Sequence, residues 1–285
     1  MQHDSLIPWS RRQALLGGLA ALGARMVAAA ADAPSVRILF LGNSYSALNR
    51  LPAVVGELML SSGMLAPHIG SYLQEAHTLA DHAADAAALS LLKKGAEDGK
   101  PWDVLVVQEQ SILSAVAAVN PAARQLMNSG LAKLVAAARE ANPQMLIVNL
   151  QVWARHESLW KKQSPDALST GRDANEAHAR IRLANVNTVS AALQQNPGMR
   201  ILVSPVGDFW RLVHAVHPAL ALHAADGSHP DLLGSLLAGL VIVGTIGGRE
   251  VMEHTTWRGE CPFDEVERVK KVLLDHPEVF KAAGK

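Results

Sequence analysis

Hydrophobic residues occur along the chain in short continuous runs, which alternate with longer stretches where apolar and polar residues recur at helical spacing. Short continuous apolar runs are typical of strands that are buried on both faces of a sheet. Five runs are therefore predicted as strands: Val36–Leu41, Pro67–Leu73, Asp103–Gln108, Gln144–Val152 and Arg200–Val206.

The stretches between these runs have the pattern of helices. They are Leu51–Ser62, Leu79–Glu97, Pro121–Ala141, Asp173–Gln195, Asp231–Gly247 and Asp264–Asp275. Alternation of buried strands and helices predicts an α/β fold, a three-layer α/β/α sandwich around five parallel strands with right-handed crossovers. Residues 34–285 show no composition break and are interpreted as one domain. In such a sheet, ligands bind outside the carboxyl ends of the strands.

The first 33 residues are interpreted as an export signal rather than as part of the fold. Arg11 and Arg12 resemble a twin-arginine motif, and the apolar run Ala14–Ala24 that follows is too short for a stable membrane anchor. Small residues from Ala28 to Ala33 offer cleavage sites. The protein is therefore expected to use the export machinery and to be periplasmic or secreted; an amphipathic N-terminal helix is the alternative.

Charge and cysteine content exclude several classes of protein. Lys plus Arg and Asp plus Glu each total 26, so zero net charge predicts no broad attraction to nucleic acid or to an anionic membrane. The single cysteine, Cys261, lies in a polar stretch without an activating base and is not expected to be catalytic. The sequence contains no metal-binding histidine motif and no glycine-rich phosphate loop after Leu41, which predicts neither a metal nor a nucleotide cofactor.

Three segments near predicted strand ends carry side chains suited to catalysis. The first strand ends in Gly42-Asn43-Ser44-Tyr45-Ser46, where Ser44 precedes a helix; its alternative role is a turn or helix cap. The third strand ends in Gln108-Glu109-Gln110, whose amides could donate to an oxyanion or form a polar loop. The third segment is Asp226-Gly227-Ser228-His229, where one turn would let the carboxylate orient the imidazole; the alternative is a capped turn.

The order of these segments resembles that of the SGNH (GDSL-type) hydrolases, over about residues 36–245. That family carries a Gly-Asp-Ser-like block after the first strand and an Asp-x-x-His block before the last helix. The resemblance implies a flavodoxin-like five-stranded parallel sheet. It also implies that Ser44 is the nucleophile, His229 the general base and Asp226 the residue that orients it.

The resemblance further implies three oxyanion donors, and the sequence departs from the family pattern at two of them. The Ser44 N–H is the first donor. The family glycine has no counterpart in Leu73–Leu79, so the N–H of Ala76 is expected to replace it. The family asparagine is replaced by Gln110, with Gln108 as the second choice.

Two further sets of residues leave alternatives open. His77 and His82 are expected at a helix start, but either could line the pocket. Trp153, Trp160 and Trp210 are expected in the core, with stacking on a substrate as the alternative.

These expectations together describe an exported serine esterase that hydrolyses carboxylic esters through an acyl-serine intermediate. Its substrate would be a small-molecule or polysaccharide ester, such as a carbohydrate acetyl ester or a short-chain lipid ester. The alternatives are a non-catalytic periplasmic binding protein on the same fold and an acyltransferase that uses the same triad.

Overall fold

The computed structural model describes residues 35–282, so the expected export signal of residues 1–33 lies outside the described range. Within that range the chain forms five strands: β1 (Arg37–Gly42), β2 (His68–Leu73), β3 (Val104–Gln108), β4 (Leu146–Leu150) and β5 (Arg200–Ser204). All neighbouring pairs are parallel, in the order β2-β1-β3-β4-β5. This is the doubly wound order of flavodoxin-like sheets, whose direction of winding reverses between β1 and β3.

The segments between and after the strands form helices. They are α1 (Ser44–Ala47), α2 (Leu51–Ser61), α3 (Leu79–Ala84), α4 (Ala86–Lys94), α5 (Ser111–Val116), α6 (Pro121–Ala141), α7 (Ser158–Lys161), α8 (Pro165–Thr170), α9 (Ala174–Gln195), α10 (Val206–Val216), α11 (Leu232–His254), α12 (Phe263–Asp275) and α13 (Glu278–Ala282). A 3₁₀ turn, Leu48–Arg50, joins α1 to α2.

The helices cover both faces of the sheet because successive side chains of each buried strand point to opposite faces. Ile38 and Phe40 of β1 belong to a core formed with α2, α10, α11 and α12. Leu39 and Leu41 belong to a second core formed with α3, α4, α6 and α9. The three-layer α/β/α sandwich predicted from the sequence is therefore confirmed.

Several local expectations were wrong. The single helix expected over Leu79–Glu97 breaks at Asp85, whose extended backbone ends α3 and whose carboxylate accepts hydrogen bonds from the first N–H groups of α4. The helices α5 and α10 were not expected. The segment 154–172, where the sequence predicted neither a strand nor a helix, contains α7 and α8.

Helix α11 is long and apolar enough by composition to cross a membrane. Core helices of globular proteins pass the same test, and 67% of the most apolar window of this helix is buried inside the fold. Its contacts with α2, β4 and β5 place it in the first of the two cores.

Candidate active site

Ser44 is the first residue of α1, directly beyond the carboxyl end of β1. Asn43 caps this helix, because its Oδ1 accepts a hydrogen bond from Tyr45 N at 3.2 Å. The same side chain donates to the carbonyl of His77 at 2.9 Å and accepts from Gln108 Nε2 at 2.9 Å. Asn43 thus fixes the backbone before Ser44 to the segment that follows β2 and to the last residue of β3.

Ser44, His229 and Asp226 form a continuous hydrogen-bonded chain. Ser44 Oγ lies 2.9 Å from His229 Nε2, across 185 residues of sequence. His229 Nδ1 lies 2.6 Å from Asp226 Oδ2. The structure therefore brings together the three residues that the sequence singled out at the ends of the domain.

The contacts of Asp226 determine which imidazole nitrogen carries the proton. Its Oδ1 accepts from the backbone N–H groups of Ser228 at 2.8 Å and His229 at 3.0 Å. Partial burial raises the pKa of Asp226, but the hydrogen bonds from His229 and these N–H groups outweigh it and hold that pKa below its usual value. An ionised Asp226 requires a donor at Nδ1, so Nε2 is left to accept the Ser44 hydroxyl proton.

Aromatic and backbone contacts hold the Asp226–His229 turn in place. Gly227 has a φ of +71°, in the left-handed region that favours glycine, and its carbonyl accepts from His156 N at 2.8 Å. The hydroxyls of Tyr45 and Ser228 lie 2.6 Å apart. Trp153 donates its indole N–H to the Ser228 carbonyl at 3.1 Å and stacks on Tyr45 with ring centroids 4.9 Å apart. Rigid support of this kind keeps a base within reach of its nucleophile.

Ala76 lies in the turn after β2 and lines the same cavity as Ser44. Its φ is +57°, a left-handed conformation that alanine adopts only at an energetic cost. In residues 35–282 no acceptor bonds to its N–H or to that of Ser44. The backbone conformation at position 76 is thus the one that a glycine would favour.

Gln110 and Gln108 differ in how their amides are used. Gln110 caps α5, because its Oε1 accepts from Ile112 N and Leu113 N, both at 2.8 Å. These two contacts fix the amide orientation and leave Nε2 without an acceptor in residues 35–282, and Gln110 lines the same cavity as Ser44. Gln108 is buried, and its Nε2 donates to Asn43 Oδ1 and to the Glu109 carbonyl. Its amide is therefore already satisfied within the protein.

Glu109 lies between the two candidate glutamines and is a buried acid, for which the sequence predicted no role of its own. Its Oε1 accepts from Gln110 N at 2.7 Å and from Leu79 N at 3.2 Å, whereas its buried Oε2 has no hydrogen-bond partner in the described fold. Burial raises the pKa of Glu109 to about 8, against the lowering effect of the two backbone donors. Burial thus favours the protonated form of this side chain, which joins the segments after β2 and β3.

The remaining candidates have structural surroundings. Trp153, Trp160 and Trp210 are buried, which confirms their expected core packing. His82 is fully buried and donates from Nε2 to the Gly42 carbonyl, and burial lowers its pKa. Cys261 is buried as well, and burial raises the pKa of its thiol to about 11.

Ser44, Ala76, Gln110 and His229 line one open cavity of about 440 Å³ at the carboxyl edge of the sheet. It lies beyond the ends of β1 and β3, where the direction of winding reverses and where ligands bind in this class of sheet. No cluster of histidine, cysteine or acidic residues suited to a metal ion occurs in residues 35–282. A hydroxyl within reach of an oriented imidazole, together with hydrogen-bond donors at the same cavity, is chemically suited to acyl transfer.

Comparisons with known proteins find similarity in structure rather than in sequence, since no family model and no curated protein matches the chain. A DUF4886 family protein from Bacteroides uniformis aligns over 86% of this chain and 95% of its own, with a TM-score of 0.66 and 17% identity. A carbohydrate esterase family 3 protein from Talaromyces cellulolyticus aligns over 78% of this chain and all of its own, with a TM-score of 0.52 and 13% identity.

A third structure aligns with a higher sequence identity than these two. A proposed SGNH hydrolase from Slackia heliotrinireducens is 25% identical over 75% of this chain and 100% of its own, with a TM-score of 0.52. The parallel sheet and this likeness give the chain the fold of the SGNH (GDSL-type) hydrolases and support its membership of that family.

Proposed function

We propose that this protein is an exported serine esterase that hydrolyses carboxylic esters through an acyl-serine intermediate. The observation that carries the proposal is the hydrogen-bonded chain from Ser44 Oγ to His229 Nε2 at 2.9 Å and from His229 Nδ1 to Asp226 Oδ2 at 2.6 Å. A hydroxyl within reach of an oriented imidazole is the arrangement that activates serine for attack on a carbonyl.

In the proposed first half-reaction, Ser44 Oγ attacks the ester carbonyl as its proton passes to His229 Nε2. The carbonyl oxygen becomes an oxyanion and accepts hydrogen bonds from the N–H groups of Ser44 and Ala76 and from Gln110 Nε2. Asp226 stabilises the imidazolium that forms, and His229 then gives the proton to the departing alcohol oxygen. This leaves an acyl ester on Ser44.

In the second half-reaction, water takes the place of the alcohol. His229 Nε2 accepts a proton from the water, which attacks the acyl carbonyl, and the oxyanion forms at the same three donors. Collapse breaks the bond to Ser44 Oγ, which recovers its proton from His229, and the carboxylic acid leaves.

Hydrolysis of 4-nitrophenyl acetate, followed in the purified mature protein, tests this proposal. The wild type should release nitrophenolate at a rate that Ser44→Ala and His229→Ala each lower by at least ~10³-fold. A matched control is Ser46→Ala, which removes a buried hydroxyl two residues away that bonds to Gln108 rather than to His229. Equal rates in the wild type and Ser44→Ala would contradict the proposal.

Export is proposed from Arg11 and Arg12 and the apolar run that follows them. Fractionation of cells that express the full chain tests it. The wild type should be processed and recovered outside the cytoplasm, whereas the pair Arg11→Lys and Arg12→Lys should retain the unprocessed chain inside. Unchanged export of the double variant would overturn the twin-arginine route. Carbohydrate acetyl esters and short-chain lipid esters are the first natural substrate classes to test, by analogy with the fold.

A further inference from the structure

Arg155 is a buried arginine that has no acidic partner in the described part of the chain. It lies in the segment after β4 and is 8% exposed. Its one side-chain hydrogen bond runs from Nη2 to Ser111 Oγ at 3.2 Å, and no carboxylate of residues 35–282 comes within ion-pair distance. Most of the donors of this guanidinium are therefore unused by the protein.

Arg37 shows how the same fold treats a structural arginine of equal burial. Arg37 is also 8% exposed, but its guanidinium contacts Asp98 at 2.6 Å and Asp103 at 3.2 Å. Burying a charge is costly unless an opposite charge compensates it. Arg155 lacks that compensation, so its surroundings are suited to an anion that the protein itself does not provide.

Arg155 faces the proposed reaction centre. It lines the 440 Å³ cavity together with Ser44 and His229, and its partner Ser111 directly follows Gln110. The carboxylates lining that cavity belong to Glu75, Asp166 and Asp226.

All three of those acidic residues are exposed, so solvent and salt screen their repulsion of a bound anion. The buried charge within the cavity is thus positive.

A second cavity, of about 510 Å³, adjoins the first at Arg155, which lines both. Its wall includes Trp210, His214 and His223. Burial lowers the pKa of both histidines, that of His223 to about 3, so these two rings are neutral at pH 7. Arg155 is therefore placed to bind a charged group of a substrate that extends from the first cavity towards the second.

From these contacts we infer that Arg155 binds a carboxylate of the substrate, so that the preferred esters carry a negative charge besides the ester itself. A planar guanidinium with free donors matches a carboxylate in a two-pronged hydrogen-bonded pair. The inference rests on the proposed esterase function and names the substrate class of that same site.

Matched pairs of esters that differ only in charge test the inference. 4-Acetoxybenzoate and its methyl ester place the charge on the alcohol side of the scissile bond. 4-Nitrophenyl hydrogen adipate and its methyl ester place it on the acyl side. In at least one pair the wild type should prefer the anion, and Arg155→Met should lower kcat/KM for that anion by about 10- to 100-fold. The neutral member should change by less than about 3-fold.

Control variants separate recognition from general damage. Lys162 is an exposed cation in the same loop and lines neither cavity. Lys162→Met should therefore leave kcat/KM for both members of each pair unchanged. Arg155→Lys keeps the positive charge but loses the planar pair of N–H donors, and should retain part of the preference for the anion. If Arg155→Met does not fold, inhibition of wild-type hydrolysis of a neutral ester by benzoate, but not by benzamide, gives the same test.

Loss of the neutral and anionic activities to the same extent would overturn the inference, as would a wild-type preference for the neutral member of both pairs. Failure of this inference can be distinguished from failure of the proposed esterase function, because hydrolysis of the neutral esters by Ser44 does not depend on carboxylate recognition. An active Ser44 without charge preference refutes only the role of Arg155. An inactive Ser44 refutes the esterase.

Discussion

Replacing Gln110 by glutamate separates the two roles that its side chain has in the structure. Oε1 accepts hydrogen bonds from Ile112 N and Leu113 N at the start of α5, whereas Nε2 has no acceptor in residues 35–282 and is proposed to donate to the oxyanion. In Gln110→Glu, one carboxylate oxygen still caps the helix. The donor is lost, and a second acceptor oxygen takes its place.

The expected magnitudes follow from these contacts. Loss of one oxyanion donor typically costs about 10²- to 10³-fold in kcat, and repulsion between the new carboxylate and the oxyanion adds to that loss. The free energy of unfolding should change by less than ~0.5 kcal/mol, because the cap persists and a negative charge at a helix N-terminus is favourable. In Gln110→Ala, loss of the helix cap should instead lower the free energy of unfolding by about 1 kcal/mol.

The assay combines steady-state hydrolysis of 4-nitrophenyl acetate with urea unfolding of each variant. Asn120→Asp is the matched control, since Asn120 caps α6 through Ala123 N and its change from amide to acid lies outside the cavity. It should leave kcat unchanged. A Gln110→Glu variant with kcat within about 3-fold of the wild type would refute the assignment of Nε2 as a donor.

Three further variants test other parts of the site. Ala76→Gly should raise the free energy of unfolding by up to ~1 kcal/mol in urea titrations, because glycine tolerates the φ of +57°. The variant should keep kcat within about 3-fold of the wild type. A lower free energy of unfolding would contradict this prediction. Glu109 keeps in the folded state a proton that the unfolded chain loses, so stability falls as pH rises from about 4.5 towards the folded pKa of about 8. The stability advantage of Glu109→Gln over the wild type should therefore widen between pH 5.5 and 7.5, by up to ~1.4 kcal/mol per pH unit, and a constant difference would oppose the assignment. Asp226→Asn should lower kcat by about 10²- to 10⁴-fold. Two backbone donors would hold the amide oxygen and turn the NH₂ group towards His229 Nδ1, which would move the imidazole proton to Nε2. An unchanged kcat would argue against the tautomer with the proton on Nδ1.

The sheet could be predicted from the sequence because its three central strands, β1, β3 and β4, are buried on both faces. The uninterrupted apolar stretches Ile38–Leu41 and Val104–Val107 leave no alternating polar positions for a solvent-exposed face. The positions of Ser44, Asp226 and His229 followed from motif order, since parallel strands carry their carboxyl ends to one edge. Their hydrogen bonds form because the fold brings these residues to the same edge of the sheet, and not because of the neighbouring sequence.

Other features depend on contacts between distant segments. The helix break at Asp85 is stabilised by the Tyr72 hydroxyl, which donates to the Asp85 carboxylate at 2.7 Å. Helical periodicity carries no information about such a contact. The left-handed backbone of Ala76 is equally hidden, because alanine favours regular helix and gives no turn signal of its own.

Burial of charged residues was the other feature that the sequence could not indicate. Glu109 and Arg155 lie in segments that are polar in sequence, and a charged residue in such a segment gives no sign of burial. Only the folded chain shows that Glu109 is enclosed between the segments after β2 and β3, and that Arg155 lacks the carboxylates that Arg37 has. Long-range packing sets such environments, not the neighbouring residues.

Intact-protein and peptide mass spectrometry after treatment with a fluorophosphonate tests the central claim most directly. An activated serine forms a stable phosphonyl adduct with this reagent, whatever ester the enzyme uses. The account predicts one adduct on the wild type, located on Ser44, with no adduct on Ser44→Ala and strongly slowed labelling of His229→Ala. A folded wild-type protein that gains no adduct, or that is labelled on another residue, would contradict it.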